Sequence, residues 1–495
     1  MGIISFQLPA GLTVDAARQL ERACVAGGPD NMPWPTEVRV EPEQLQVRRA
    51  VDESGYLLVP WDVGNLGRLM GSTATLMERP DAYSLPVELA RGKINQLRGQ
   101  AADWQAGGLQ LTEELDRQIK DVSLAFGRAA VRTPPQKAAA KAQAALTQAY
   151  QTAEDLVRLY RDQVFQIRHT RLPKLESGLE CCLGTSAPGA FADEFTQAFN
   201  GVCVPFSWSD VEPETGSYRW QPQDDLVAWA ATHGLPVTAG PLINFASMKL
   251  PAWLWLYERD LQSLAGFMCA FVETTVRRYK GQIRRWQLTA ASNSTSILSL
   301  GEDELLWLTV RLAEVARQVD PSLELIIGVT QPWGEYMALE DRTHSPFIFA
   351  DTLIRAGLNL LAVDLEVVMG PTPRGSYCRD PMELSRMLDL YALLGVPLRV
   401  TMGYPSSNGR DLRADPEQSL QGGHWRGGFT SETQAQWAEA FVALALCKPF
   451  VQAVEWVHSF DAESHLFPHC GLVDTAGRAK PVLQQLRTLR ETHLR

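Results

Sequence analysis

The chain has no Cys-x-x-Cys pair, no apolar run near the ~20 residues of a membrane span, and no basic, apolar leader at its start. Its eight cysteines (24, 181, 182, 203, 269, 378, 447 and 470) are scattered, mostly in apolar surroundings such as VCVPF and FMCAF. That pattern argues against a zinc or disulfide framework and for reduced, buried thiols. The N-terminus MGIISFQLPAG also departs from the myristoylation pattern, because Phe6 stands where Ser or Thr is needed. The expected location is cytoplasmic. Positive charge is in deficit: a net charge of −11 argues against nucleic acid or an anionic membrane as partner. No internal repeat and no glycine-rich phosphate fingerprint is present, and nothing implies a cofactor.

What is present divides into three textures, since 495 residues exceed one ordinary core. Residues 1–85 carry short β-like runs (IISFQL, EVRVEP, QLQVRR, YLLVPW, TATLM) split by Gly, Pro and Asp. They read as a small β-rich domain. With Trp34 and Trp61 as its stacking residues, a structural cap is favoured over a carbohydrate-binding module. Residues 86–170 are helical. Val87, Ala90, Ile94, Leu97, Ala101 and Trp104 recur at steps of three and four, as do Leu115, Ile119, Val122 and Phe126. After a break at Thr133-Pro134-Pro135 the pattern resumes with Leu146, Tyr150, Ala153, Val157, Tyr160 and Val164. This predicts a helical hairpin or small bundle that either packs within the chain or forms a homo-oligomer through 86–170.

Residues 175–495 alternate strand and helix. Strand candidates fall at 179–184, 201–206, 236–243, 285–290, 325–329, 360–368, 398–402 and 453–457, with amphipathic segments between them. Such a series predicts a closed (β/α)8 TIM barrel, with an open doubly wound sheet as the alternative.

Four segments of this region resemble glycoside hydrolase family 10, the xylanase family: FSWSDVEPETGSYRW (206–220), DLVAWAATHGL (225–235), RRYKGQIRRW around the fourth strand, and GLVDTAGRAKP (471–481). The resemblance implies a carbohydrate-cleaving barrel and a glycan or oligosaccharide partner. It also implies two glutamates, one following a W-x-x-x-N-E pattern and one in I-T-E-x-D. Here Trp286 matches, but Ala290 and Ala291 occupy the Asn and Glu places; Val400 and Thr401 match, but Met402 occupies the second glutamate's place. Around them the family's lysine, histidine and tryptophan positions hold Ser207, Gly240 and Asn244, while Trp208 remains. Alanine and methionine transfer no protons and form no glycosyl ester, so the usual retaining mechanism is disfavoured.

Chemistry in such barrels sits at the C-terminal ends of the strands. Glu335 follows the fifth strand between Trp333 and Tyr336, and Asp364 and Glu366 share one face of the apolar sixth. Glu335 and Glu366 are the candidate catalytic pair, on neighbouring units. The bland alternative has Glu335 capping a helix and Glu366 paired with Arg379 or Arg399. Trp208, Asn293, Trp333, Asp364, Trp456, His458 and Asp461 are candidate ligand contacts. His458, Asp461 and His465 match no strong metal signature and read as loop hydrogen bonding, so no metal site is expected. Three functions stay open: a glycoside hydrolase with displaced carboxylates, a non-catalytic sugar-binding barrel (a pseudoenzyme), or an assembly protein using its helical arm.

Overall fold

The computed structural model describes residues 2–50, 53–132, 135–246 and 249–495. Thr133 and Pro134, two of the three residues at the expected helix break, lie outside that set.

Eight parallel strands close into a barrel: Gly178–Cys182, Gly201–Val204, Val237–Ala239 with Ile243–Asn244 as its continuation, Arg285–Ala290, Glu324–Thr330, Ala362–Val368, Leu398–Gly403 and Val451–Trp456. Closure is explicit, because the eighth strand pairs with the first through Val454 and Leu179. Helices such as Leu261–Arg278, Glu302–Val319 and Pro381–Ala392 follow the strands and lay their apolar faces on the barrel's outside. The open-sheet alternative is set aside.

Side-chain parity inside the barrel decides what reaches the site. Residues opposite one another in a ladder share a face. Glu366 lies opposite Thr401, Thr401 opposite Glu455, and Glu455 opposite Glu180. One level lower, Asp364 lies opposite Arg399. The barrel interior therefore carries an ionic stack instead of the usual aliphatic layers. Arg399 binds Glu180 at 2.7 Å and Glu455 at 3.4 Å, and Thr401 donates to Asp364 at 2.8 Å. Space for it comes from missing side chains: a methyl group on Gly201 would meet the Glu180 Cγ at 3.1 Å.

The N-terminal strands form two sheets. One runs Glu37–Glu41, Gln44–Arg49, Gly2–Gln7, Tyr83–Ser84; the other runs Gly67–Ser72, Tyr56–Asp62, Cys24–Gly27, Met32–Trp34 and gains His424–Trp425 from the loop after the seventh barrel strand. Trp61 is buried and donates to Gln143, and Trp34 packs against the core, so both tryptophans serve structure. Helices Leu85–Ala106, Glu113–Arg132 and Pro135–Arg171 follow. Their stripes are spent within the molecule: Leu97, Leu146, Tyr150 and Val157 are buried in the main core. Polar ties dock the arm on the barrel, among them Lys93 with Asp380, Arg161 with Glu439 at 2.6 Å, and Trp425 Nε1 donating to Glu154 at 3.0 Å.

Candidate functional site

A cavity of about 840 Å³ opens at the C-terminal mouth of the barrel. Its barrel side is built by strand ends three to six: Asn244 and Ala246, Ala290 and Ala291, Thr330 and Gln331, and Glu366. Its other side comes from the N-terminal region, including Gln19, Arg22, Cys24, Leu58 and Met70.

Of the candidate pair, both Glu335 and Glu366 line this cavity, but their situations differ. Glu335 is committed. It pairs with the buried Arg379 guanidinium and accepts the Tyr377 backbone N–H at 3.0 and 3.1 Å, and Arg379 in turn lies over the Trp333 ring at 4.4 Å. The arginine that the bland alternative assigned to Glu366 thus holds Glu335, while Arg399 serves Glu180 and Glu455. Glu366 stands at the top of the ionic stack. Burial pushes its carboxyl up to about 8, the neighbouring Asp364 adds to the rise, and Arg374 offsets part of it. A carboxyl so placed keeps its proton at neutral pH and is able to give it away.

The remaining candidates are placed elsewhere; among the described residues none of them lines the cavity. Trp208 is 1% exposed, stacks on Phe271 with ring centroids 4.9 Å apart, and donates to Glu212 at 2.7 Å. Trp456 follows the inward-facing Glu455, so alternation turns it outward. Its ring meets Trp437 edge-on and its Nε1 donates to the Cys470 carbonyl at 2.7 Å. Both tryptophans pack inside the fold, away from the cavity lining. Asn293 spends its amide on the Thr330 backbone and the Tyr336 hydroxyl, tying the fourth strand end to the fifth. Asp364 is buried beneath Glu366 and raised by burial against the pull of Arg399. His458 is neutral, its pKa lowered by burial to about 4, and stacks on His465 with centroids 4.3 Å apart. Asp461 is bound by Lys480 and the Gly471 N–H, which marks a hydrogen-bonded loop.

The positions singled out by the family pattern also have physical accounts. A Cβ on Gly240, whose φ is +124°, would collide with the Gln287 carbonyl oxygen, so no side chain fits there. Met402 pairs with Val367 and Trp456 on the barrel's outer face; the inward neighbours are Thr401 and Gly403, neither a carboxylate. Ala291 does face the cavity, with φ +59°. No local pattern pointed to the N-terminal wall or to Arg374 and Tyr377 as lining residues. Gln331 was in plain view at the fifth strand end: its amide donates to the Pro373, Arg374 and Gly375 carbonyls and fixes the loop after the sixth strand.

Residues 192–327 match the model of Glycosyl hydrolase family 10, which bears out the resemblance over that stretch. Endo-1,4-beta-xylanase 3 of Hypocrea jecorina is 32% identical over 144 residues, 27% of this chain and 39% of that enzyme. The chain thus spans about 39% of the length of the curated relatives it matches. Among solved structures, native xylanase 10B from Thermotoga maritima aligns at 16% identity over 64% of this chain and 95% of its own, with a TM-score of 0.48. A family 10 structure from Paenibacillus barcinonensis aligns at 18% identity over 65% and 96%, also with a TM-score of 0.48. The barrel is glycoside hydrolase-like.

Proposed function

We infer that this protein acts on a carbohydrate held in the mouth cavity, with Glu366 as the proton donor to a glycosidic oxygen. The observation that carries this reading is one carboxyl, at the C-terminal end of the sixth strand, facing the cavity with its pKa raised to about 8. A general acid needs a pKa near the working pH, and burial over an acidic neighbour supplies it. Attack is assigned to water, whose oxygen bonds to the anomeric carbon as the bond to the glycosidic oxygen breaks; the proton it releases passes to solvent, from which the Glu366 carboxyl is restored. Glu335, the other member of the candidate pair, is held by Arg379, and Ala291, Thr401 and Gly403 carry no carboxylate, so a glycosyl-enzyme ester is not part of the scheme. The similarity to an endo-1,4-beta-xylanase makes β-1,4-linked xylo-oligosaccharides the first substrates to try. A cytoplasmic setting, expected from the sequence, would suit imported oligosaccharides.

A second reading, a sugar-binding barrel without turnover, is favoured by that same commitment of Glu335 to Arg379 and the Tyr377 N–H. One experiment separates the two. Wild type, Glu366→Gln and Glu335→Gln are screened against aryl glycosides and xylo-oligosaccharides, with thermal melting alongside. Cleavage lost in Glu366→Gln supports the enzyme, and cleavage unchanged in it removes Glu366 as the donor. A sugar-dependent rise in melting temperature without cleavage supports the binding protein.

A further inference from the structure

The inference here rests on the carbohydrate reading and concerns which part of a chain the cavity accepts. The N-terminal region is a fixed wall of the cavity. Its helix Val14–Gln19 and the turn Leu20–Arg22 place Gln19 and Arg22 on the lining, with Cys24, Leu58 and Met70 behind them. The wall is anchored at several points to the loops after the fifth, sixth and seventh strands. Thr36 N donates to the Ala338 carbonyl at 3.0 Å and Met70 N to the Cys378 carbonyl at 2.8 Å. Tyr377 Oη donates to Gln19 at 3.0 Å, and Arg22 to Gln421 at 3.3 Å. Cys24, Leu58, Met70 and Tyr377 form a buried apolar cluster of their own across this seam. His424 and Trp425 extend the wall's sheet opposite Arg68 and Gly67.

Backbone hydrogen bonds, a ladder and a buried cluster together make a junction that a ligand will not part. These anchors join the N-terminal wall to the loops after the fifth, sixth and seventh strands, and residues of those loops line the same cavity as Glu366. After the third and fourth strands the lining is small and polar: Asn244, Ala246, Ser294 and Thr295. A carbohydrate chain crossing the mouth past Glu366 would run into paired backbone. We propose that the cavity is a dead end that takes the terminus of a carbohydrate chain, with Gln19 and Arg22 as the polar surface meeting the terminal sugar.

The full chain is tested with xylobiose, xylohexaose and soluble β-1,4-xylan. Products are resolved by chromatography at early times, and binding is read by calorimetry at equal sugar mass. The expected result is a single short product from the first time point and binding that follows the number of chain ends, so that xylan binds on the order of tenfold less per unit mass than xylohexaose. A ladder of product lengths, or xylan binding equal to xylohexaose per unit mass, overturns the proposal and leaves the carbohydrate reading standing. The Gln19→Ala/Arg22→Ala double variant also loses the bonds to Tyr377 and Gln421, so its unfolding midpoint is measured beside binding; with the fold intact it is expected to weaken xylobiose binding about tenfold through lost hydrogen bonds to the sugar. Unchanged affinity overturns the assignment of the end-recognising surface. Neither binding nor cleavage of any of the three sugars overturns the carbohydrate reading itself and this proposal with it.

Discussion

Replacing Glu366 by glutamine tests the electrostatics of the site without knowledge of the substrate. The carboxyl's ordinary value of 4.5 rises to about 8 in the fold, first through burial and then through Asp364. Between those two values the folded state holds one proton more than the unfolded chain. Stability therefore falls as pH rises through that window and is flat above it. The rise corresponds to a ceiling of about 5 kcal/mol at ~1.4 kcal/mol per pKa unit. Solvent in the cavity screens part of it, so about 2–3 kcal/mol is expected. Glutamine carries no titrating proton and keeps the side chain's size. The gap in unfolding free energy between Glu366→Gln and wild type should open from a constant baseline below pH 4.5 to its full extent above pH 8, in favour of the variant. Guanidinium unfolding at pH steps from 4 to 9 measures it, and the slope with pH is the readout, because any packing change in the variant offsets all points alike. Glu455, also raised to about 8, titrates in both proteins and cancels. Parallel curves across the whole range would mean that Glu366 ionises at its ordinary value, and the proton-donor argument would fall with that result.

Three further outcomes are expected. Arg399→Met leaves Glu180 buried without its principal cation and should cost about 3–5 kcal/mol in the same unfolding assay; a loss under 1 kcal/mol would show that the stack is not held by this pair. Ala291→Gly relieves a left-handed backbone with φ +59° and should stabilise by about 0.5–1 kcal/mol after the flexibility of glycine is counted, with destabilisation as the contrary result. If a sugar accepts the Glu366 proton in a hydrogen bond, its dissociation constant should be level below pH 8 and rise about tenfold per pH unit above it; the rise should vanish in Glu366→Gln, and its persistence there would assign it to another group.

The barrel was legible because its signal is periodic and local. Apolar strands punctuated by amphipathic segments recur through residues 175–495, and the strand predicted at 398–402 differs from the observed Leu398–Gly403 by one residue. Glu366 was legible for a related reason: a carboxylate inside an apolar strand has few explanations, and facing the cavity is one of them. Trp208 and Trp456 show where such reading stops. A matched pattern places a tryptophan in the right segment but does not say which way its ring turns, and one residue of parity separates the cavity from the helix layer. For Trp456 the deciding fact is that Glu455, its neighbour, faces inward toward Arg399. The wall of the cavity had no local signal at all. Gln19 and Tyr377 touch across more than three hundred residues of chain, and only the closed fold brings them together.

The ionic stack explains how a protonated carboxyl arises at the mouth of the barrel. Glu180, Asp364, Glu366 and Glu455 face the barrel interior, and the buried cation among them is Arg399, with Arg285 reaching Glu180 from the side at 3.2 Å. Burial acts against every one of these charges, so the cations can keep only a part of the carboxylates ionised. Glu180 wins that competition: Arg399 and Arg285 outweigh burial and hold its carboxyl below the ordinary value. Glu455 and Glu366 lose it and rise to about 8. Glu455 is sealed beside Arg399, whereas Glu366 ends at the cavity, so the surplus proton of the stack becomes accessible at one place. An excess of acids over bases in the core thus loads a single carboxyl at the mouth, whatever stands at 291 and 402.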